Sequence, residues 1–265
     1  MTQTNQSQPP GCEGLSFVIH GQGPEPVLVM HDWNSDHTSY APTLPYLDTD
    51  QFTYAFVDLR GYGKSRALAG DYTVGEISRD CLDIADKLGW RRFHVIGHSM
   101  TGMATQRMAV DAEGRIKSAV AVCPISAAGS PAPEEALTFF ANTTEDDEAF
   151  CRLIKFVSGG LSDRWAVAKL RQNRLTVDPA CRAGYLKMFS KTNFVADVRG
   201  NRTPFLVVVA ENDPGLDEAA MRETFLAWHP NAALAVIPNC GHYPMQECPP
   251  YFATIVERFL RSHTS

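Results

Sequence analysis

Short, unbroken runs of apolar residues, many of them β-branched, recur along this chain and constrain its fold more than any other feature. Six such runs occur, at residues 27–30, 52–57, 93–96, 119–123, 205–210 and 233–237. Because polar residues do not alternate with apolar ones inside these runs, they predict strands that are covered on both faces. Strands of this kind are typical of a parallel sheet.

Stretches with helical periodicity separate the runs. Thr73 stands at the cap position of a helix that continues to about Leu88, and Glu76 follows at the spacing of a capping box. Further helices are predicted over residues 99–110, 217–228 and 249–261. This alternation predicts an α/β fold with a doubly wound, mostly parallel sheet.

The alternation is interrupted after the fourth run, which ends near Cys123. Residues 126–202 contain no convincing strand, but they have helical patterns at 136–140, 147–157, 164–170 and 182–189. An insertion of about 75 residues is too long for a plain loop, so we expect a helical cap. The predicted domains are a core, residues 1–125 and 203–265, and the cap, residues 126–202. A cap would cover the carboxyl edge of the sheet, where open α/β sheets bind ligands.

Charge and cysteine content exclude several classes of protein. The 265 residues include 24 Lys and Arg against 30 Asp and Glu, a net charge of −6 without a basic block, so nucleic acid is not an expected partner. No apolar run approaches ~18 residues, so no membrane association is expected. Residues 1–10 are polar, which predicts a frayed tail and no secretory signal. Seven cysteines without C-x-x-C spacing predict reduced thiols, a cytoplasmic location and no metal site.

The segment Val95-Ile-Gly-His-Ser-Met-Thr-Gly102 carries the strongest chemical signal. A strand leads through a tight turn directly into a helix, with Ser99 at the apex. A serine at such a corner is a candidate nucleophile, and the helix N-terminus favours negative charge that develops beside it. Small neighbours are needed there. The sequence has Gly97, but Thr101 stands where the pattern G-x-S-x-G has its second glycine, and Gly102 follows.

Two later segments supply a carboxylate and an imidazole. Asp213 lies three residues beyond the fifth run, and an acid at this position can orient a charged histidine. Glu211 and Asp217 are near alternatives. His242 lies on a glycine-flanked loop before the last helix. The predicted catalytic residues are therefore Ser99, Asp213 and His242, in that chain order.

The loop after the first run, which begins His31-Asp-Trp33, is predicted to complete the site. Acyl transfer needs two N–H donors aimed at the position of the oxyanion. The backbone N–H of Met100, directly after the serine, is one candidate donor. The backbone N–H of Trp33 is the other.

The order Ser, Asp, His resembles that of the α/β-hydrolase superfamily, and the resemblance extends from about residue 17 to the C-terminus. It fits the small capped bacterial serine hydrolases, which include esterases, enol-lactonases, C–C bond hydrolases and perhydrolases. The stretch Asp58-Leu-Arg-Gly-Tyr-Gly-Lys-Ser65 matches a structural turn of that superfamily and lacks the spacing of a phosphate loop. Asp32 departs from the His-Gly start of many oxyanion loops. A serine at position 99 disfavours the epoxide hydrolase and haloalkane dehalogenase branches, which use aspartate.

The resemblance implies a cofactor-free hydrolase that acts on a small, largely apolar carboxylic ester or lactone through an acyl-enzyme on Ser99. A small-molecule substrate is the expected partner. One alternative is a C–C bond hydrolase of an aromatic ring-fission product, with Arg164, Arg171 and Arg174 as candidate carboxylate ligands. A cofactor-free perhydrolase and a non-catalytic ligand receptor on the same fold are further alternatives.

The predicted substrate pocket combines residues near the serine with cap aromatics. The first group comes from the loop that begins at His31, which we call the oxyanion loop, and from the corner that carries Ser99, and the second comes from residues 126–202. The residues are His31, Asp32, His98, Phe139, Trp165 and Tyr185. Aromatic residues of a helical cap also pack in the cap's own core, and for most of them we favour that interpretation.

Overall fold

A seven-stranded sheet forms the centre of the molecule, in the order β1-β3-β2-β4-β5-β6-β7. The computed structural model describes residues 14–264, so the predicted frayed tail and Cys12 lie outside the described residues. The strands are β1 (Ser16–Gly21), β2 (Glu25–Met30), β3 (Phe52–Asp58), β4 (Phe93–His98), β5 (Ile116–Val122), β6 (Phe205–Ala210) and β7 (Ala232–Ile237). β1 is antiparallel to β3, and every other neighbouring pair is parallel.

The six apolar runs all form strands, as predicted. Strand β1 was not predicted, because its residues are only half-buried and its sequence, Ser-Phe-Val-Ile-His-Gly, mixes polar and apolar residues. It lies at the edge of the sheet beside β3. The predicted doubly wound, mostly parallel sheet is confirmed with this antiparallel edge strand added.

Helices connect the strands and cover both faces of the sheet. They are α1 (Val74–Lys87), α2 (Met100–Asp111), α3 (Glu134–Asn142), α4 (Asp147–Val157), α5 (Asp163–Thr176), α6 (Pro179–Lys191), α7 (Val195–Val198), α8 (Glu218–Glu223), α9 (Phe225–Trp228), α10 (Pro244–Glu247) and α11 (Pro249–Arg261). The helix predicted over 217–228 is divided into α8 and α9, because the backbone of Thr224 leaves the helical region at φ −116° and ψ −90°. Two large apolar clusters pack on the sheet.

The start of α1 shows how the sequence determines a helix boundary. Thr73 Oγ1 accepts the N–H of Glu76 at 3.1 Å, as predicted for the cap. The Glu76 carboxylate accepts the N–H groups of Asp71 and Tyr72 rather than that of Thr73. Thr73 is therefore confirmed as the N-cap of α1. The Glu76 carboxylate does not complete a capping box, because it binds the N–H groups of the two residues before Thr73.

Helices α3 to α7 form the predicted helical insertion between β5 and β6. We call residues 134–198 the helical insertion. It is joined to the core by an isolated bridge between Tyr62 and Val177 and by a hydrogen bond from Asp178 N to Gly61 O at 2.8 Å. Among residues 14–264, no helix is long and apolar enough to cross a bilayer.

The turn after β3 is a structural element, as the sequence indicated. The Asp58 carboxylate accepts the N–H of Lys64 at 2.9 Å and that of His37 at 3.1 Å. Gly63 has φ +50°, and a Cβ atom there would lie 2.3 Å from Asp58 Cγ. A side chain at this position would displace the carboxylate that organises the turn.

Candidate active site

Ser99 occupies the strained corner between β4 and α2. Its φ of +56° and ψ of −115° are unusual for a residue with a side chain. The corner is held by hydrogen bonds from Ser99 N to Val122 O at 2.9 Å and from Ile125 N to Ser99 O at 3.0 Å. The backbone is thus fixed from the neighbouring strand β5, and Ser99 remains 8% exposed.

Close backbone packing explains the glycines around the corner. A Cβ atom on Gly97 would lie 2.3 Å from Thr101 O, and one on Gly102 would lie 2.2 Å from Pro124 Cβ. Glycine is therefore required at position 102, one residue later than in the pattern G-x-S-x-G. Thr101 is accommodated because its side chain points towards the oxyanion loop, where Thr101 Oγ1 donates to His31 O at 2.9 Å.

The predicted carboxylate and imidazole lie in contact beyond the ends of β6 and β7. Asp213 Oδ2 and His242 Nδ1 lie 2.7 Å apart, and both residues are buried. The alternative acids are engaged elsewhere: Glu211 Oε2 accepts the N–H of Asn239 at 2.8 Å, and Asp217 caps α8 by accepting Ala220 N at 2.9 Å. Of the three candidates, Asp213 is the one that contacts His242.

The electrostatic surroundings of His242 favour its protonated form. Burial lowers its pKa, but the charge of the Asp213 carboxylate and the hydrogen bond to it outweigh burial, so the pKa lies above the ordinary 6.5. Within the described residues, His242 Nε2 and Ser99 Oγ have no hydrogen-bond partner, and neither atom is sealed from solvent. The Ser99 hydroxyl and the His242 imidazole are thus not hydrogen-bonded to each other in this structure.

His98 links the serine corner to the histidine loop. His98 Nε2 lies 2.7 Å from His242 O, and the two imidazole rings are 4.9 Å apart. Burial lowers the pKa of His98 to about 3, so the ring is neutral near pH 7 and donates from Nε2 to the carbonyl. This contact places the His242 backbone directly beside the residue that precedes Ser99.

Glu247 braces the histidine loop, and the sequence reasoning did not identify it. Its Oε2 accepts the N–H of Gly241 at 2.7 Å, and its Oε1 accepts the N–H of Tyr243 at 3.1 Å. The carboxylate therefore binds the peptide groups on both sides of His242. It also accepts the N–H of Gly159 at 3.2 Å, at the end of α4. A carboxylate a few residues after a loop histidine is too common a pattern to have predicted this role.

Two backbone N–H groups, those of Met100 and Trp33, have no backbone acceptor. Met100 N–H belongs to the first turn of α2, where no intrahelical acceptor exists. The backbone hydrogen bonds of residues 14–264 do not use Trp33 N–H either. Trp33 is held by its other polar groups, since Trp33 O accepts Tyr62 Oη–H at 2.9 Å and its indole Nε1–H donates to Arg182 O at 3.1 Å.

Asp32 is a completely buried carboxylate beside these groups. Burial alone would raise its pKa, but the Lys169 ammonium, followed by His98 and a hydrogen bond from Ser35, holds it below its usual range. Its Oδ2 also accepts from Tyr243 Oη–H at 3.2 Å. The residue in place of the common glycine therefore connects the oxyanion loop with the histidine loop.

The helical insertion holds the oxyanion loop from the other side. Arg182 on α6 is 1% exposed, donates from Nη2 to Asn34 Oδ1 at 3.1 Å and lies with Cζ 4.1 Å from the Trp33 ring centroid. Asn173 on α5 donates to Asn34 O at 2.8 Å. Lys169, also on α5, is 2% exposed and has Nζ 4.2 Å from the Tyr243 ring centroid. These three residues of the insertion thus contact the loops of the site.

A cavity of about 920 Å³ lies between α3 and α6 and reaches Trp33. Its walls are mixed, with apolar residues such as Leu137 and Leu186 and with polar and charged residues such as Lys187. Ser99 and His242 are not among its lining residues. Trp33 is therefore the residue through which this cavity adjoins the oxyanion loop.

The residues predicted to form the substrate pocket do not line this cavity, and their contacts explain why. His31 has Nδ1 2.7 Å from Asp32 O, and its Nε2 accepts the N–H of Leu59 at 3.1 Å, so its ring is used to shape the loop. Asp32 and His98 are buried in the network described above. Tyr185 donates its hydroxyl to Arg60 O at 3.2 Å.

Phe139 and Trp165, the remaining predicted pocket residues, pack within the helical insertion and against the core. Phe139 is half-buried, and the Arg152 guanidinium lies 6.0 Å from its ring centroid. Trp165 lies edge-on to Tyr243, with ring centroids 6.1 Å apart. These contacts agree with the alternative interpretation of the cap aromatics as packing residues.

One group of possible metal ligands includes two residues of the site. The ligand atoms of Cys123, Asp213 and His242 lie within 4.8 Å of one another. Asp213 and His242 are, however, in direct hydrogen-bond contact at 2.7 Å, which leaves no space for an ion between these two atoms. Burial and the Asp213 carboxylate also raise the pKa of the Cys123 thiol. The three residues therefore do not fit a metal ion as they stand.

Comparison with known proteins places this geometry in a family. Residues 17–255 match the model that describes the alpha/beta hydrolase family. The chain belongs to the alpha/beta hydrolase family. The chain is accordingly a hydrolase enzyme, and its seven-stranded, mostly parallel sheet agrees with the family.

The names of individual relatives describe different reactions. The chain is 27% identical over 247 residues to the pimeloyl-(acyl-carrier protein) methyl ester esterase of Nitrosomonas europaea, a match that covers 88% of this chain and 94% of that protein. It is 32% identical over 111 residues to the dihydrolipoyllysine-residue acetyltransferase component of the acetoin cleaving system of Cupriavidus necator, covering 42% of this chain but only 29% of that protein. The structure of a bromoperoxidase from Bacillus anthracis superposes with a TM-score of 0.81 at 19% identity, over 97% of this chain and 100% of that one.

Proposed function

We propose that this protein is a serine-dependent hydrolase of a small, largely apolar carboxylic ester or lactone, with an acyl-enzyme on Ser99. The proposal is carried by the serine at φ +56° on the strand–helix corner and by the Asp213–His242 pair at 2.7 Å, which His98, the residue before Ser99, contacts through His242 O at 2.7 Å. A strained corner costs stability and persists where it serves a site. An imidazole fixed by a carboxylate is the general base that such a serine requires.

In the proposed reaction, His242 Nε2 takes the proton of Ser99 as the hydroxyl oxygen attacks the substrate carbonyl. Asp213 holds the imidazole in the tautomer with its proton on Nδ1 and stabilises the imidazolium. The protonated His242 then transfers its proton to the leaving group, and it later activates the water that releases the acid. Serine and histidine are not hydrogen-bonded without substrate, which is common because catalytic hydrogen bonds tighten when substrate binds.

The Met100 and Trp33 N–H groups are the proposed donors to the oxyanion. Each such donor contributes about 3 kcal/mol to stabilising the transition state in other acyl-transfer sites. The Asp32 carboxylate would oppose an oxyanion nearby, and the buried Lys169 ammonium offsets that charge. The Lys169 ammonium therefore allows the buried Asp32 carboxylate to lie beside the proposed oxyanion site.

The cavity at Trp33 is the proposed entrance for the acyl or leaving group, and residues 126–202 are the proposed cap. Arg164 and Arg171, the candidate carboxylate ligands of a C–C bond hydrolase, are exposed, and Arg174 pairs with Asp147 at 2.9 Å. None of the three lines the cavity. This favours an ester or lactone over a ring-fission product. The scattered cysteines favour a cytoplasmic location.

A substrate panel tests the proposal. Short-chain esters, lactones, ring-fission products and a perhydrolysis assay are compared for the wild type and for Ser99→Ala, with Ser130→Ala, a serine away from the corner, as the matched control. We expect ester or lactone turnover that is lost in Ser99→Ala and retained in the control. Equal turnover by Ser99→Ala would exclude the acyl-enzyme, and preferential decay of a ring-fission product would favour the C–C bond hydrolase.

A further inference from the structure

Two cysteines bracket the segment that carries His242. Cys240 and Cys248 lie eight residues apart in the chain, and their Sγ atoms are 3.4 Å apart. Cys240 is fully buried, whereas Cys248 is partly exposed. The pair takes no part in the proposed reaction. A disulfide needs the two sulfur atoms at about 2.0 Å, so an approach of roughly 1.4 Å would join them.

The environment of the two thiols assigns them different roles. Cys248 is the residue that precedes α11, a helix of 13 residues, and a helix N-terminus stabilises a thiolate. The hydrogen bond with the Cys240 thiol lowers the pKa of Cys248, although burial and the charge of Glu247 act in the opposite direction. The same hydrogen bond, together with burial, raises the pKa of Cys240. Cys248 is therefore the accessible, more acidic thiol, and Cys240 lies behind it as a protonated one.

The other described cysteines lack such a partner. Cys81, Cys123 and Cys181 are buried, and Cys151 on α4 is partly exposed. Among the hydrogen bonds of the described residues, the Cys240–Cys248 contact is the one that joins two sulfur atoms. The geometry thus distinguishes this pair from every other thiol in residues 14–264.

We propose that a hydroperoxide oxidises Cys240 and Cys248 to a reversible disulfide. This disulfide lowers the turnover of the enzyme by displacing the loop that carries His242. The Cys248 thiolate attacks one peroxide oxygen and breaks the O–O bond, giving a sulfenic acid and an alkoxide or hydroxide that takes up a proton. The Cys240 sulfur then attacks the sulfenic sulfur, its proton leaves with the hydroxide as water, and the S–S bond forms. Overall, two thiols are oxidised and one hydroperoxide is reduced to an alcohol or water, with one further water.

The bond would act on the site through the backbone. Cys240 O accepts the N–H of Asn212 at 2.9 Å, directly before Asp213, and Gly241 N donates to Glu247. Drawing the sulfur atoms together therefore displaces residues that hold both Asp213 and His242. This effect on turnover rests on the proposed function, whereas formation of the bond does not.

The experiment treats the reduced full chain with hydrogen peroxide and maps the cysteines by peptide mass spectrometry. We expect a Cys240–Cys248 disulfide, seen as the loss of two hydrogens, and its removal by dithiothreitol. In Cys240→Ser we expect Cys248 to gain oxygen instead, because the resolving thiol is missing. Cys151→Ser, which removes the other partly exposed thiol, should still form the disulfide. Absence of the disulfide in both wild type and Cys151→Ser would overturn the proposal.

Activity is then measured on the same samples. We expect turnover to fall at least fivefold with disulfide formation and to return after reduction, while Cys248→Ser keeps its turnover under peroxide. A mapped disulfide with unchanged turnover would overturn the effect on the His242 loop. If no substrate is turned over by the reduced protein, labelling of Ser99 by a fluorophosphonate replaces turnover as the readout, so that failure of the proposed function is distinguished from failure of the oxidation site.

Discussion

Thr101 Oγ1 donates a hydrogen bond to His31 O at 2.9 Å, and the same oxygen accepts the N–H of His98 at 2.8 Å. One hydroxyl group thus joins the serine corner to the oxyanion loop. The residue that departs from the glycine of the common pattern is therefore a connection between the two loops that the proposed acyl transfer requires to be aligned.

Removing this hydroxyl should affect both stability and turnover. Thr101→Val preserves the shape but leaves the buried N–H of His98 without its acceptor, which costs about 1–3 kcal/mol. We expect a lower free energy of unfolding in urea and a lower kcat. Thr101→Ser, which retains the hydroxyl, is the control and should stay close to the wild type in kcat. If Thr101→Val matched Thr101→Ser in both measurements, the hydroxyl would not be the connection.

The pH dependence of turnover should report the Asp213–His242 pair. Because the pKa of His242 is raised above 6.5 and the base must be neutral, kcat/KM of the wild type should rise with pH through an apparent pKa above 6.5. In Asp213→Asn the charge and the ionic hydrogen bond disappear while burial remains, so this pKa should fall below its value in the wild type. The plateau should also fall, by about four orders of magnitude in comparable triads.

The direction of that pKa shift distinguishes an electrostatic effect of Asp213 on His242 from a purely structural role of Asp213. A mutation that merely loosened the loop would lower the plateau without moving the acid limb to lower pH. Glu211→Gln, which removes a nearby carboxylate that binds Asn239 instead of His242, is the matched control. It should leave the apparent pKa where it is in the wild type.

Glu247 should behave as a positioning residue. Glu247→Gln retains one acceptor oxygen, so the N–H of either Gly241 or Tyr243 loses its partner. We expect kcat to fall about tenfold, equivalent to ~1.4 kcal/mol, with KM nearly unchanged, because the loop moves while the cavity does not. Steady-state kinetics measure both parameters. A change in KM with constant kcat would instead place Glu247 in substrate binding.

The buried charges of Asp32 and Lys169 should depend on each other. Lys169→Met leaves the Asp32 carboxylate buried without its main compensating charge, so we expect a lower free energy of unfolding, although the two groups are not in direct ion-pair contact. The double variant Asp32→Asn/Lys169→Met removes both charges and should recover a large part of that loss. Urea unfolding of wild type, both single variants and the double variant gives the interaction energy. Additive losses would show that the two charges are independent.

Much of the fold and of the site was predictable from local sequence signals. The apolar runs identified six of seven strands because buried parallel strands have a continuous apolar pattern. The corner at Ser99 and the Asp213–His242 pair followed from the positions of these residues just beyond strand ends. Strand β1 was missed because an edge strand needs less apolar sequence.

The surroundings of the site were less predictable, because they depend on contacts between distant segments. His31, Asp32 and Tyr185 are predicted pocket residues, and in the structure each is buried and uses its polar atoms within the protein. The sequence contains no local sign that Arg182 would contact Trp33 and Asn34, which lie about 150 residues earlier. Tertiary packing decides which polar residues face a cavity and which support its walls.

The most direct test of the account is covalent labelling of the intact protein by a fluorophosphonate, read by mass spectrometry of the whole chain and of its peptides. The account predicts one adduct per chain on Ser99, no adduct in Ser99→Ala, and labelling of His242→Ala that is slower by orders of magnitude although the protein is folded. An adduct on another residue, or equally fast labelling without the imidazole of His242, would contradict a serine nucleophile activated by that histidine.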